Sequence, residues 1–233
     1  DEATLRAVVG DLHEADLGEL VEALEHDLRP RLIELTGTDF DFTALIEIDD
    51  TIRDEILEEL PAETVAEGVR ELDSDDAVEL LQDLPEEEKD EILGQLPVSE
   101  RIALQRSLDY PEYSAGRRMQ TEFIAVPSEW TVGATIDYMR DTPDLPDKFY
   151  EIYAVDAERR FQGAIPLDRL MRTRRPVQVA ELIDEDRRRV NALDEQDDVA
   201  RMFGKYNLVA APVVDSDERL VGVITIDDIV DVI

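Results

Sequence analysis

The sequence predicts a multi-domain chain of α and α/β type: an N-terminal right- or left-handed superhelix of short α-helices, then an α/β module made of two copies of one unit. Three observations carry this expectation. Leucine recurs every twelve residues through the first half, the acidic excess is concentrated in that same half, and a thirteen-residue segment of the second half is repeated at a fixed offset.

The helical half rests on Leu60, Leu72, Leu84, Leu96 and Leu108, each followed by Pro or Asp. A period this regular marks a repeat architecture. Pro or Asp suits the start of a helix, and acids such as Glu86, Glu87 and Glu88 favour its positive end. Apolar residues then return at helical spacing, as in Val65 with Val69, Ala77 with Leu80 and Leu81, and Ile92 with Leu93 and Leu96, so each unit has one apolar face. Helices of about ten residues are marginal alone and must stack on neighbours. Leu12 to Leu35 reads as helices of the same layer, and Thr36 to Asp50, with Gly37, Phe40 and Phe42, reads as a break between them.

In the second half, Asp156 to Asp168 aligns without a gap on Asp215 to Asp227 at an offset of 59. The upstream parts match at an offset of 64, pairing Met119 with Ile183 and Val126 with Val190, so the first copy carries five extra residues near Asp141 to Lys148. Pro143 and Pro146 make that insertion a loop. Each copy reads as strand, helix, strand, polar turn, strand, helix: Phe123–Val126, Val132–Arg140, Ile152–Val155, Phe161–Ile165 and Leu167–Met171 in the first, with Asp227–Ile233 closing the second. The expected division is residues 1–112 for the helical domain, 113–180 for the first repeat and 181–233 for the second.

Charge narrows the function classes. The chain has 59 acidic and 24 basic residues, net −35, and only three lysines; residues 1–110 hold 34 acids and 8 bases (net −26) and residues 111–233 hold 25 and 16 (net −9). Nucleic acid is repelled by such a chain. Two readings of the acidity stand side by side: a solvated surface suited to a salt-rich cell, and carboxylate clusters awaiting divalent cations. There is no cysteine, which excludes disulfides and thiolate chemistry. The longest clearly apolar run, Leu208 to Val214, is seven residues, against the about 20 that a membrane-spanning helix needs. His13 and His26 lie in the acidic helical region with no nucleophile motif nearby, so no enzyme is expected. The start has no signal-peptide pattern, and the end at Ile233 falls partway through an amphipathic helix without a terminating glycine, which reads as a fragment.

The run PVVDSDERLVGVITIDDIVDVI resembles the closing half of a CBS motif. Joined to the acidic twelve-residue repeats through Tyr110-Pro111-Glu112-Tyr113-Ser114-Ala115-Gly116-Arg117-Arg118-Met119, the whole chain is similar to the cytosolic part of MgtE-type magnesium transporters. The resemblance implies a tandem CBS pair, a homodimer formed through the CBS domains, a downstream transmembrane channel domain of the same full-length chain, a place at the cytoplasmic face of the cell membrane, and Mg²⁺ sensing that gates Mg²⁺ influx by domain closure.

Mg²⁺ is small and hard, takes oxygen ligands and often touches only one or two carboxylates. Asp228 and Asp231, and likewise Glu195 and Asp198, are spaced to share a helix face. The family's acidic interface positions fall on Glu195, Asp197, Asp228 and Asp231; a further one falls on Asn207, a departure that leaves a neutral oxygen where a charge is expected. Asp73 and Asp76 are the candidates in the helical domain. CBS pairs also bind ATP or AMP, through a pattern retained in the second copy as Gly222, Thr225 and Asp228; the first copy has Gly163 but Pro166 and Arg169 at the matching places. An adenine-nucleotide-sensing regulator is therefore the alternative function. Trp130, Tyr110 and Tyr113 read as packing residues; the basic islands Arg172, Arg174 and Arg175 and Arg187 to Arg189 read as solvated turns, as contacts with phosphate groups or, the favoured reading, as docking points for the acidic domain.

Overall fold

The structure, a computed structural model, describes residues 2–146, 148–184, 188–230 and 232 and divides into two compact units, Asp1–Leu108 and Asp109–Ile233.

The first unit is helical throughout: α1 Glu2–Gly10, α2 Glu14–Ala23, α3 Arg29–Thr36, α4 Asp50–Glu59, α5 Ala62–Val69, α6 Ser74–Gln82, α7 Glu86–Gln95 and α8 Val98–Leu108. The twelve-residue period is the repeat of one helix and one turn. Leu60 ends α4 and Leu96 ends α7 in extended backbone, while Pro61 and Pro85 precede α5 and α7 as N-caps. Leu60, Leu84, Leu96 and Leu108 are buried in one continuous core. Helices pack on alternate neighbours, α5 on α7 and α6 on α8, so each marginal helix buries its apolar stripe against another. Arg53 on α4 is buried and pairs with Asp50 at 2.9 Å and with Glu79 of α6 at 3.6 Å. Burial pushes the neighbouring Asp54 carboxyl up; Arg53 pulls it down, while Asp83, Asp50 and Glu58 push further upward.

Thr36 to Asp50 does break the helical run, as two 3-10 turns at Gly37–Asp39 and Phe42–Leu45. It is also core: Phe40, Phe42, Ala44, Leu45 and Ile48 are buried, and the Phe40 and Phe42 rings meet edge to face at 5.7 Å. A segment without helical period still fills the space that the surrounding helices leave.

The second unit begins with a linker that folds onto it. Arg117 donates to the Tyr110 carbonyl through Nε (3.1 Å) and Nη2 (2.6 Å), ahead of the short helix α9 (Ala115–Arg118). The first repeat is β1 Ala125–Pro127, α10 Val132–Asp141, β2 Glu151–Val155, β3 Phe161–Pro166 and α11 Leu167–Arg172; the second is β4 Val190–Asn191, α12 Gln196–Tyr206, β5 Ala210–Val214, β6 Leu220–Thr225 and α13 Ile226–Val230. Each makes a three-stranded sheet, β1-β2-β3 and β4-β5-β6, with the first pair parallel and the second antiparallel.

Duplication extends to irregularities. A bulge at Ala154/Val155 is matched at Val213/Val214, and Arg159 (φ 64°) and Glu218 (φ 62°) take left-handed backbone at equivalent turn positions. Asp156 Oδ1 accepts from the Glu158 and Arg160 N–H groups (3.0 and 2.8 Å), and Asp215 Oδ1 from those of Asp217 and Arg219 (both 2.9 Å). The two turns join, since Phe161 N–H donates to Glu218 O and Leu220 N–H to Arg159 O. Behind them Tyr153, Val155, Phe161, Val214, Leu220 and Val223 form a core shared by both copies. Either Asp156→Ala or Asp215→Ala leaves two turn N–H groups to water alone, and each is expected to cost about 1 kcal/mol, read as a lower denaturant midpoint at unchanged slope.

Candidate functional site

A cleft open to solvent lies where the copies meet. Three separate stretches build it: Gln120 to Ile124 ahead of β1, Lys148 to Tyr153 into β2, and Ala210, Val223 and Thr225 from the second copy. Gln120 and Val223 exchange two backbone hydrogen bonds of 2.9 Å, which lays the linker strand of the first copy against β6 of the second. That approach needs Gly222: a Cβ there would stand 2.5 Å from Met119 Sδ and 2.8 Å from Gln120 O. Gly222 therefore acts by letting two backbones meet.

Thr225, at the cleft wall, donates its N–H (2.8 Å) and hydroxyl (2.7 Å) to Asp228 Oδ2, and its hydroxyl also meets Asp227. A residue just ahead of a helix whose N–H is taken by an acid three positions on forms half of a capping box. The retained Thr225 and Asp228 are thus brought together. In the first copy Pro166 precedes α11, with no hydroxyl to offer.

Glu151 and Tyr153, two apart on β2, point to the same face of the strand and both line the cleft. Burial pushes the Glu151 carboxyl above its usual range, while the neighbouring Tyr153 hydroxyl draws it back. Burial, then the Glu151 charge, pushes the Tyr153 phenol well up. Neither residue was singled out by sequence reasoning, which read the strand as core from Ile152. One signal was present: at the offset of 59, Glu151 stands where the second copy has Ala210.

The acidic candidates are spread more widely. Glu195 is the N-cap of α12, with Asp197 and Asp198 in its first turn, and Asn207 is its C-cap. An 11-residue helix rises about 1.5 Å per residue, so Glu195 and Asn207 sit at opposite ends. Asn207 has left-handed backbone (φ 51°, ψ 47°), a conformation Asn tolerates at helix ends, which is the physical reason for an amide there. Asp198 is engaged by Arg201. Asp73 is the N-cap of α6 and Asp76 lies in its first turn. Asp231 lies outside the described residues. Among the described residues no group of three or more His, Asp or Glu side chains converges as a metal cage; the donor set fits the sparser manner of Mg²⁺, one or two carboxylates with water.

Three arginines of the basic islands have local partners. Arg175 pairs with Asp137 at 2.6 Å, Arg189 with Glu218 at 2.6 Å, and Arg188 lies 3.8 Å over the Tyr206 ring; Arg187 is outside the described residues. Trp130 packs on Tyr138 edge to face at 5.5 Å, and the Tyr110 ring lies against Gly116, but Tyr113 is 54% exposed. No helix among the described residues is long and apolar enough to cross a membrane.

Comparison with known proteins agrees with this architecture. The family profile of the MgtE intracellular N domain matches residues 12–113, and that of the CBS domain residues 179–233. Magnesium transporter MgtE of Enterococcus faecalis is 33% identical over 130 residues, 56% of this chain and 29% of that protein. MgtE of Thermus thermophilus is 34% identical over 124 residues, 53% of this chain and 28% of that protein. The chain thus spans under a third of these relatives. Among solved structures, the soluble part of a magnesium transporter superposes with a TM-score of 0.87 at 26% identity, covering 99% of this chain and 91% of that one. The cytosolic domain of the Mg²⁺ channel MgtE in complex with ATP gives 0.88 at 28% identity, covering 100% and 95%. Residues 12–113 thus match an MgtE intracellular N domain and residues 179–233 a CBS domain, in an architecture similar along the whole chain to the soluble part of a magnesium transporter.

Proposed function

We propose that this chain is the Mg²⁺-sensing regulatory region of a magnesium channel or transporter, acting at the cytoplasmic face of the membrane on a transmembrane domain of the same full-length protein. The observation that supports it most is the order of the two units, N domain before CBS pair, shared along the whole chain with the soluble part of a magnesium transporter. In this reading the chain works as a homodimer through its CBS domains, and Glu195, Asp197, Asp228 and Asp231, with Asn207 as a neutral donor, are the sensing positions on the CBS side. Asp73 and Asp76 serve the N domain. Exposed Glu195 and Asp197 at the start of α12 add to a surface of like charge. Two carboxylates 4 Å apart repel by about 1 kcal/mol in water and about 4 kcal/mol at an effective dielectric of 20, so unbalanced pairs hold the loose state open. Mg²⁺ supplies a hard dication for such oxygens. A state that binds it better gains about 2.7 kcal/mol per site at a hundred times the dissociation constant, and only that difference between states moves the balance.

Titrating millimolar Mg²⁺ is expected to shrink the radius of gyration in X-ray scattering and to protect the chain from limited proteolysis. Identical scattering and cleavage with and without Mg²⁺ would reject the sensing reading.

A second reading, adenine-nucleotide sensing, is favoured by one observation: Thr225, the hydroxyl of the retained pattern, lines the cleft. One solved relative is a complex with ATP. Calorimetry with ATP and AMP tests it, and absence of heat at millimolar nucleotide removes it.

A further inference from the structure

We infer that Glu151 makes occupancy of the cleft proton-linked: filling the cleft with an anionic adenine nucleotide drives a proton onto the Glu151 carboxylate, so that affinity rises as pH falls. The inference rests on the nucleotide reading above and adds to it a residue and a direction.

The geometry is unusual for a carboxylate. Glu151 opens a strand whose next four residues are buried, and it stands against the wall of a cavity instead of in open water. Its neighbours from each surrounding segment are known. Glu122 faces the cleft from the linker strand, Lys148 and Tyr150 from the approach to β2, Tyr153 from β2 itself, and Thr225 from β6. The register partner on β3 is Pro166, which brings no charge. Thr225 has its hydroxyl on Asp227 and Asp228, so the far wall is acidic as well. Lys148 is the sole cation among the described lining residues.

Two effects then act in one direction when a nucleotide enters. Water that solvates Glu151 is expelled, which disfavours the ionised form. The phosphate charge repels the carboxylate. Against them stands the Tyr153 hydroxyl, which holds the ionised form in the empty cleft and starts from a carboxyl that burial has already raised. The carboxyl pKa is thus higher in the filled cleft than in the empty one. The sign follows: affinity is lowest above the filled-cleft pKa, rises as pH falls through it, and levels off below the empty-cleft pKa. For a single proton the slope cannot exceed about tenfold per pH unit.

The test is AMP binding to the whole chain by calorimetry from about pH 8 to about pH 5, bracketing a raised glutamate, in two buffers of different ionisation enthalpy. The expected result is net proton uptake by the wild type, and for Glu151→Gln, an amide that imitates the neutral acid, a flatter profile with tighter binding at high pH. Titration of the free AMP phosphate is common to both proteins, so a difference in proton uptake reports Glu151, directly or through its repulsion of the bound phosphate. Tyr153→Phe removes the hydroxyl that favours the ionised form and should move the wild-type profile to higher pH; it also serves should Glu151→Gln fold poorly. Parallel profiles for wild type and Glu151→Gln, with equal proton counts, overturn the linkage while leaving the nucleotide site intact. No binding of AMP at any pH overturns both.

Discussion

Gly68→Ala is expected to lower the stability of the helical unit by about 2 kcal/mol, although the same substitution in a helix normally gains about 1 kcal/mol. The reason is local. A Cβ on Gly68 would lie 2.3–2.4 Å from Cγ, Cδ1 and Cδ2 of Phe42. These are the inner atoms of a ring that is 5% exposed and has no free end to swing away. Overpacking of this kind costs about 1–3 kcal/mol or more, which outweighs the propensity gain. Gly94, in α7, supplies the control, because nothing lies within 4 Å of its added Cβ; Gly94→Ala should stabilise. Thermal melts of the two variants should shift in opposite directions. The double variant Gly68→Ala/Phe42→Leu should recover part of the loss, since the ring is the obstacle. A stabilised Gly68→Ala would mean that α5 and the Phe42–Leu45 turn do not meet as closely as the structure has them.

Monovalent salt should change stability more than any single exposed charge. At net −26 over residues 1–110, repulsion opposes the compact state. Two carboxylates 10 Å apart in water repel by about 0.4 kcal/mol, and the screening length falls from about 10 Å at 0.1 M salt to about 3 Å at 1 M. Summed over a few tens of exposed pairs, moving from low to molar KCl should stabilise the helical unit by several kcal/mol, or more than about 10 °C in its midpoint by the usual conversion for a domain near 100 residues. The expected record is a melt whose lower transition climbs with KCl while the transition of the CBS pair, carrying net −9 over residues 111–233, moves less. Melts that do not respond to KCl would reject self-repulsion as a significant term, and with it the reading of the acidity as a salt-adapted surface. Sub-millimolar Mg²⁺ giving the same rise at low KCl would instead favour specific carboxylate sites over general screening. The two explanations of the composition separate on this one comparison.

Much of the fold was legible because it is periodic or duplicated. The twelve-residue period and its helical spacing exposed α5 to α8, since an apolar stripe must recur every three to four residues to face a core. Duplication exposed the strands of the second unit: Ile152 and Phe161 head segments whose twins are Ala211 and Leu220, and the observed strands fall on them. The polar turn shared by both copies was legible as a turn, though not that the two turns bond to one another. Phe40, Phe42 and Ile48 were read only as a break, because a core segment in 3-10 and extended backbone has no period to detect. For the site, Thr225 and Asp228 were named through their match to the CBS pattern, and the structure adds that they hydrogen-bond one another. Glu151 and Tyr153 were not singled out, because EIYAV read alone is a strand and only the exchange of Glu151 for Ala210 at the offset of 59 marks its end.

What the sequence by itself determined is the identity and order of the two units. Leucine spacing, acid distribution and a duplicated strand-turn-strand pattern are local or translational properties, and they survive in one dimension. What only the tertiary structure decided is how those units put residues to use. Gly222 became a contact between backbones because Met119 and Gln120, about a hundred residues earlier, lie against it. Asn207 became a left-handed cap because α12 ends there. Glu151 became a cleft carboxylate because three stretches far apart in the chain converge on it. Desolvation and close approach depend on what else occupies the surrounding volume, which no spacing along the chain encodes.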